Sequence, residues 1–146
     1  MDIEQTMKRV QQQLRAFIGQ TTFEELSRLW VEQQGKAGKL PFVPQIVGSH
    51  WSRQTQVDVV AINWETKHIL LGECKWGADS VGLAVVSDLV ERKTPRLCKS
   101  LPNEGQGWTI HYVLFSRAGL TGPALAELKL HGGISVELGR LDRELV

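Results

Sequence analysis

Apolar residues recur at spacings of three and four over residues 3–17, where Ile3, Met7, Val10, Leu14 and Phe17 or Ile18 interrupt a Gln-rich polar background. That period predicts an amphipathic helix, and Gly19 is expected to end it. Thr21 or Thr22 is placed to cap a second helix, with Glu24 and Glu25 in its first turn, where acids favour the helix dipole. Phe23, Leu26, Leu29 or Trp30, and Gln33 form its stripe, and Gly35-Lys36-Ala37-Gly38 closes it. Pro41 and Pro44 bracket a loop or edge segment that leads into a strand at Ile46-Val47-Gly48.

From there the period changes to that of a sheet. Residues 57–64 and 68–76 read as two strands of a hairpin turning at Glu65-Thr66-Lys67. Ile69-Leu70-Leu71 shows no polar alternation, which predicts burial on both faces. Residues 81–93 return to helical spacing through Val81, Val85 or Val86, Leu89 and Val90. Thr94-Pro95 should break or kink that helix, because proline has no N–H and restricts the residue before it. A further turn over 96–101, capped by Thr94, is expected next. Residues 108–115 read as a strand, 122–131 as a helix with Pro123 near its start, and 134–138 as a last strand after Gly132-Gly133. The predicted order is α-α-β-β-β-α-β-α-β, a mixed sheet flanked by helices.

Composition changes this picture little. One domain of 146 residues has chain enough for a real core. Within it, residues 1–18 read as an N-terminal helix and 19–146 as the body. A net charge of +1 makes no demand for a nucleic-acid partner, so any such binding must come from a local patch. No apolar stretch approaches a membrane span, and the polar start Met1-Asp2-Ile3-Glu4-Gln5 is unlike a secretory signal. Cys74 and Cys98 are too few and too far apart for a zinc site or a disulfide framework, which fits a reducing cytoplasm.

The candidate chemistry lies on the hairpin. Glu73 and Lys75 project from one face of their strand with Cys74 on the other, and Asp58 stands near the start of the strand before. A bare Glu-x-Lys occurs by chance in about half of chains this long, so the setting carries the signal. An exposed edge pair would be worth little. A carboxylate and an ammonium at the end of a buried strand need a reason, and Asp58 beside them makes a hard-metal site with a basic nitrogen next to it.

These residues resemble the PD-(D/E)xK nuclease fold, that of type II restriction enzymes and archaeal Holliday-junction resolvases. They are closer still to the domain of unknown function at the C-terminus of archaeal-type P-loop ATPases. The resemblance rests on Phe23-Glu24, Gly48, Trp51, Val57-Asp58-Val59-Val60-Ala61, Gly72-Glu73-Cys74-Lys75-Trp76, and Tyr112-Val113-Leu114-Phe115-Ser116 with Gly119. It spans residues 19–138. Gln56 stands where the family often has Glu, and no Gly-rich Lys-Ser/Thr loop occurs, so the ATPase half is absent from this chain.

The resemblance implies a restriction endonuclease-like sheet and magnesium-dependent hydrolysis of DNA phosphodiesters, with manganese as an alternative ion. Asp58, Glu73 and the Cys74 carbonyl would hold the ion, and Lys75 would serve the attacking water. Glu24 would bind a metal water or a second ion, against the plainer reading of an acid in a helix's first turn. Lys93, with Arg92, Arg96 and Lys99, forms the most basic stretch, either tracking phosphates or merely facing solvent. His50 is a further substrate contact or a structural histidine; Arg53 and Arg117 are weaker candidates. His68, His111 and His131 show no ligand spacing, and Ser116 has no base partner in its sequence context. The implied partner is nucleic acid, DNA first, with a homodimer and a P-loop ATPase partner both admitted. The competing reading is a weak or inactive regulatory module of an ATPase system.

Overall fold

The computed structural model describes residues 2–146, with side chains described over 2–9 and 19–146. The chain begins with one helix, α1 (Ile3–Lys36), where two were expected. Asp2 caps it, its carboxylate accepting from the N–H groups of Glu4 and Gln5 at 3.0 and 3.3 Å. The break expected at Gly19 is absent. Gly19 instead lets the helix approach the sheet: a Cβ there would fall 2.7 Å from Trp76 Cε2. Thr21 and Thr22 are therefore exposed mid-helix positions, not caps. Phe23, Trp30 and Val31 carry the buried stripe, while Leu29 is exposed. Ile3 and Met7 are exposed too, and the stripe expected at Val10, Leu14, Phe17 and Ile18 lies outside the described side chains.

Five strands follow: β1 (Ile46–Trp51), β2 (Gln56–Asn63), β3 (His68–Lys75), β4 (Thr109–Ser116) and β5 (Ile134–Glu137). They form one sheet in that order, antiparallel from β1 to β3 and parallel from β3 to β5. Parallel neighbours need crossovers, and helices supply them. The first crossover comprises α2 (Leu83–Ser87), a π-helical turn (Asp88–Lys93) and α3 (Thr94–Cys98); the second is α4 (Gly122–Leu130). This is the α/β architecture predicted, a mixed sheet flanked by helices.

The core lies on both sides of the sheet. One cluster joins Phe23, Trp30 and Val31 of α1 to Val59, Ala61, Leu70, Val113 and Phe115. The other joins Ile69, Leu71, Tyr112 and Leu114 to Val86, Leu89, Leu97 and Leu128 of the crossover helices. Ile69, Leu70 and Leu71 are each at most 1% exposed, so the unbroken apolar run does mark a strand covered on both faces.

Pro95 does not break its helix. Backbone torsions stay helical through Lys93 (φ −70°, ψ −43°) and Thr94 (φ −59°, ψ −51°). Proline cannot donate to the carbonyl one turn back, and a wider π turn, Asp88–Lys93, stands just before it. Thr94 is not a cap either. Its hydroxyl donates to the Leu89 carbonyl at 2.7 Å and accepts from Tyr112 Oη at 3.2 Å.

The last expected strand ends at Glu137 and runs into α5 (Leu138–Glu144), which the pattern did not announce. It is seven residues long, and its single buried side chain, Leu141, joins the α1-side cluster. No helix among the described residues is long and apolar enough to cross a membrane.

Candidate active site

The paired ladder of β2 and β3 ends at Val59 opposite Gly72. One step further the strands part, and Asp58 and Glu73 stand side by side in the opening. Asp58 Oδ2 accepts the Cys74 N–H at 2.9 Å, so a side chain takes the donor that a continued ladder would give to backbone. The Asp58 carbonyl accepts from Arg28 Nη1 at 3.0 Å.

Glu73 is 3% exposed. Its pKa is raised from 4.5 to about 7, first by burial and then by the Asp58 carboxylate beside it. Lys93 opposes the shift: its Nζ lies 2.5 Å from Glu73 Oε1, delivered from the last residue of the π turn. Lys75 is exposed and shares with Glu73 and Lys93 a cleft of about 340 Å³, also lined by Val85 and Asp88.

On the other side, α1 contributes a stripe at four-residue spacing: Gln20, Glu24 and Arg28. Glu24 is half-buried and Glu25 exposed. Gln20 Nε2 donates to Glu24 Oε1 at 2.8 Å and reaches the Cys74 carbonyl at 3.2 Å, while its Oε1 accepts the Trp76 N–H at 3.1 Å. One amide thus fastens α1 to the end of β3. Gln20 and Arg28 were not among the expected site residues; the signal available was their i, i+4 spacing about Glu24. Glu24, Arg28, His50, Trp51 and Asp58 line a second cleft, of about 290 Å³. Of the acid pair, Asp58 lines this second cleft and Glu73 the first.

The basic stretch on the crossover helix divides three ways. Lys93 turns to Glu73. Arg92 is exposed and pairs with Asp88 one turn back, Nη2 to Oδ2 at 2.8 Å. Arg96 donates to the Gln54 carbonyl at 3.0 Å and so ties the β1–β2 turn to α3. His50 is half-buried at the wall of the second cleft. Ser116 is fully buried, and its hydroxyl has no hydrogen-bond partner among the described residues.

His68 and His111, which lack any ligand spacing, come together at the start of β3 and on β4, with Nδ1 and Nε2 2.9 Å apart and the rings stacked beside Phe42. They lie away from the acid pair.

Among the described residues, no group of three or more His, Cys, Asp and Glu side chains is arranged to hold a metal ion. Two carboxylates and a backbone carbonyl nevertheless suit a hard cation that keeps several waters. The pKa of Glu73 is raised first by burial and then by the Asp58 carboxylate, and a divalent ion at this place would favour the charged forms of both acids. The donor set fits magnesium. The Cys74 thiol does not enter it: burial pushes its pKa up, against the thiolate that would bind metal.

A family profile described as "DUF234: Archaea bacterial proteins of unknown function" matches residues 1–86, a span that includes Glu24, Asp58, Glu73 and Lys75 and ends before Lys93. No curated protein matches the chain. Among solved structures, the crystal structure of a repair endonuclease from Pyrococcus abyssi is similar at 20% identity and a TM-score of 0.48, over 74% of this chain and 43% of that one. The chain therefore spans less than half the length of that endonuclease.

Proposed function

We propose, for a chain that belongs to the DUF234 family, a magnesium-dependent nuclease domain of restriction endonuclease-like fold that hydrolyses DNA phosphodiesters. The observation that carries the reading is the Asp58–Glu73 pair at the parting of β2 and β3, with two lysines on its flank. A scaffold gains nothing from two carboxylates forced together at a buried strand end.

In this reading Asp58, Glu73 and the Cys74 carbonyl hold the ion. Bound there, magnesium supplies a more acidic water and charge stabilisation for the leaving oxygen. Lys75, exposed in the cleft beside Glu73, orients the attacking water or takes its proton and faces the phosphate. Glu24, steadied by Gln20, orders water on the α1 side. Lys93 neutralises Glu73 in the resting protein and, once displaced, offers its ammonium to phosphate. Arg92, Arg96 and His50 are left to the substrate's backbone further out. The unbridged thiols Cys74 and Cys98 support a cytoplasmic setting.

A second reading is favoured by that same Lys93 contact. An acid already neutralised at 2.5 Å suits a static charge cluster, as in a regulatory module that assists a P-loop ATPase and cuts slowly or not at all. Incubating the protein with magnesium and plasmid, single-stranded and branched DNA separates the two. Nicking that disappears with EDTA and with Asp58→Ala is the expected result. No nicking of any substrate by the wild type would move the assignment to the ATPase-associated module.

A further inference from the structure

We infer that Trp51 is a stacking platform for an unpaired nucleobase, so that the site takes single-stranded or locally melted nucleic acid in preference to continuous duplex. The inference rests on the nuclease reading of the neighbouring acid pair and names the strand state that the site selects.

Trp51 is 78% exposed, although tryptophan is on average a well-buried residue. The exposure is built in and not the consequence of a loose loop. Trp51 ends β1, in register with Gln56 of β2. The turn beyond it is closed by Ser52, whose N–H donates to the Thr55 carbonyl at 2.9 Å and whose hydroxyl accepts the Thr55 N–H at 3.2 Å. Arg96 then ties the tip of the turn to α3 through the Gln54 carbonyl. The register shift between Gly48 and His50 adds a second device, because a bulge on an edge strand re-aims the side chains that follow it.

The surroundings decide what the ring meets. Trp51 shares its cleft with Glu24, Arg28, Ser49, His50 and Asp58, a polar and charged wall around one aromatic. A protein partner would need a contiguous apolar centre inside a polar rim, which a lone indole does not make. A single-stranded nucleotide needs one π face for its base and polar or cationic groups for its backbone, and this cleft has both. In a continuous duplex the base faces are already stacked on each other and closed to an indole. With Asp58 on the same cleft wall, a base seated on Trp51 would hold its strand beside the acid pair.

The test is binding without cleavage. Fluorescence anisotropy in EDTA compares a labelled single-stranded 20-mer with the corresponding duplex, on wild type, Trp51→Ala and Trp51→Phe. Trp51→Ala should weaken single-strand binding about ten-fold or more while leaving duplex binding as it was, and Trp51→Phe should keep most of the affinity. Unchanged thermal melting of both variants excludes a folding effect. Equal single-strand binding by wild type and Trp51→Ala, equal losses on both strand states, or no binding of either by the wild type would each overturn the inference. The first of these results is the one a protein-docking role for Trp51 gives. Selective single-strand binding by a wild type that cuts nothing in magnesium would leave the platform standing and remove the nuclease reading. Cutting by a Trp51→Ala variant that binds single strands normally would do the reverse.

Discussion

Lys93 and Glu73 form an ion pair in which both side chains are largely withdrawn from solvent, 16% and 4% exposed. The lysine arrives from the π-helical turn that precedes Pro95, and the glutamate from the end of the central strand β3. A helix that broke at Thr94, one of the two outcomes the sequence pattern allows, would give Lys93 no fixed place. The pair therefore depends on the unbroken course of the helix up to Pro95 and on the burial of Glu73 by the sheet.

Lys93→Gln should destabilise the metal-free protein by about 1–3 kcal/mol, less than the roughly 3–5 kcal/mol of a broken buried pair. The smaller figure follows because Glu73, with a pKa already near 7, escapes by taking a proton. Urea denaturation of Lys93→Gln, Glu73→Gln and the double variant measures the coupling. A double variant as unstable as the sum of the two single losses would mean that the pair contributes nothing.

The carboxylates and Lys75 should separate in function. Asp58→Ala is expected to weaken both magnesium binding and nicking, since Asp58 also holds the Cys74 N–H and shapes the opening. Lys75→Ala should leave binding largely intact and lower nicking about a hundred-fold to ten-thousand-fold, the usual cost of a positioned acid–base group. Calorimetric titration beside a plasmid-nicking assay reads the two quantities. Undiminished nicking by Lys75→Ala would exclude its catalytic role.

How much of this was legible follows from the range of the forces involved. Strand alternation and a short hairpin place Asp58 and Glu73 on one side of adjacent strands, because both are local rules. Glu24 followed from helix spacing and the family resemblance. Gln20 was hidden by the reading of Gly19 as a stop, when only the Trp76 ring, 57 positions further on, explains that glycine. The Lys93–Glu73 contact is not legible in the sequence, because the answer of a helix to an internal proline depends on what packs around it; here Thr94 bonds Leu89 and Tyr112. The His68–His111 contact joins residues 43 apart through a parallel register that no local pattern encodes.

Gly19→Ala tests the packing role directly. Alanine improves helix propensity by about 1 kcal/mol, which should stabilise a glycine that serves no contact. Here the new methyl meets the Trp76 ring, itself packed against Phe23 with centroids 5.3 Å apart and under the Arg117 guanidinium. Overpacking of that kind costs about 1–3 kcal/mol, so the net change should be destabilising. A melting temperature above that of the wild type would show that the helix moves away from Trp76 freely.

The histidine pair should give the protein an acid-sensitive component of stability. Burial, and then the neighbouring His68, lower the pKa of His111 from 6.5. The unfolded chain therefore binds more protons than the folded one around that pH, and the His111 contribution is complete above about pH 6.5 and lost as pH falls below it. Glu73 works in the opposite sense between 4.5 and about 7, because its raised pKa favours the folded state when protonated. The two overlap, so the melting curve of the wild type alone does not isolate either. The difference between wild type and His111→Gln does: the variant should lose less stability between pH 7 and 5 than the wild type. Parallel pH profiles for the two proteins would show that His111 does not titrate differently on folding.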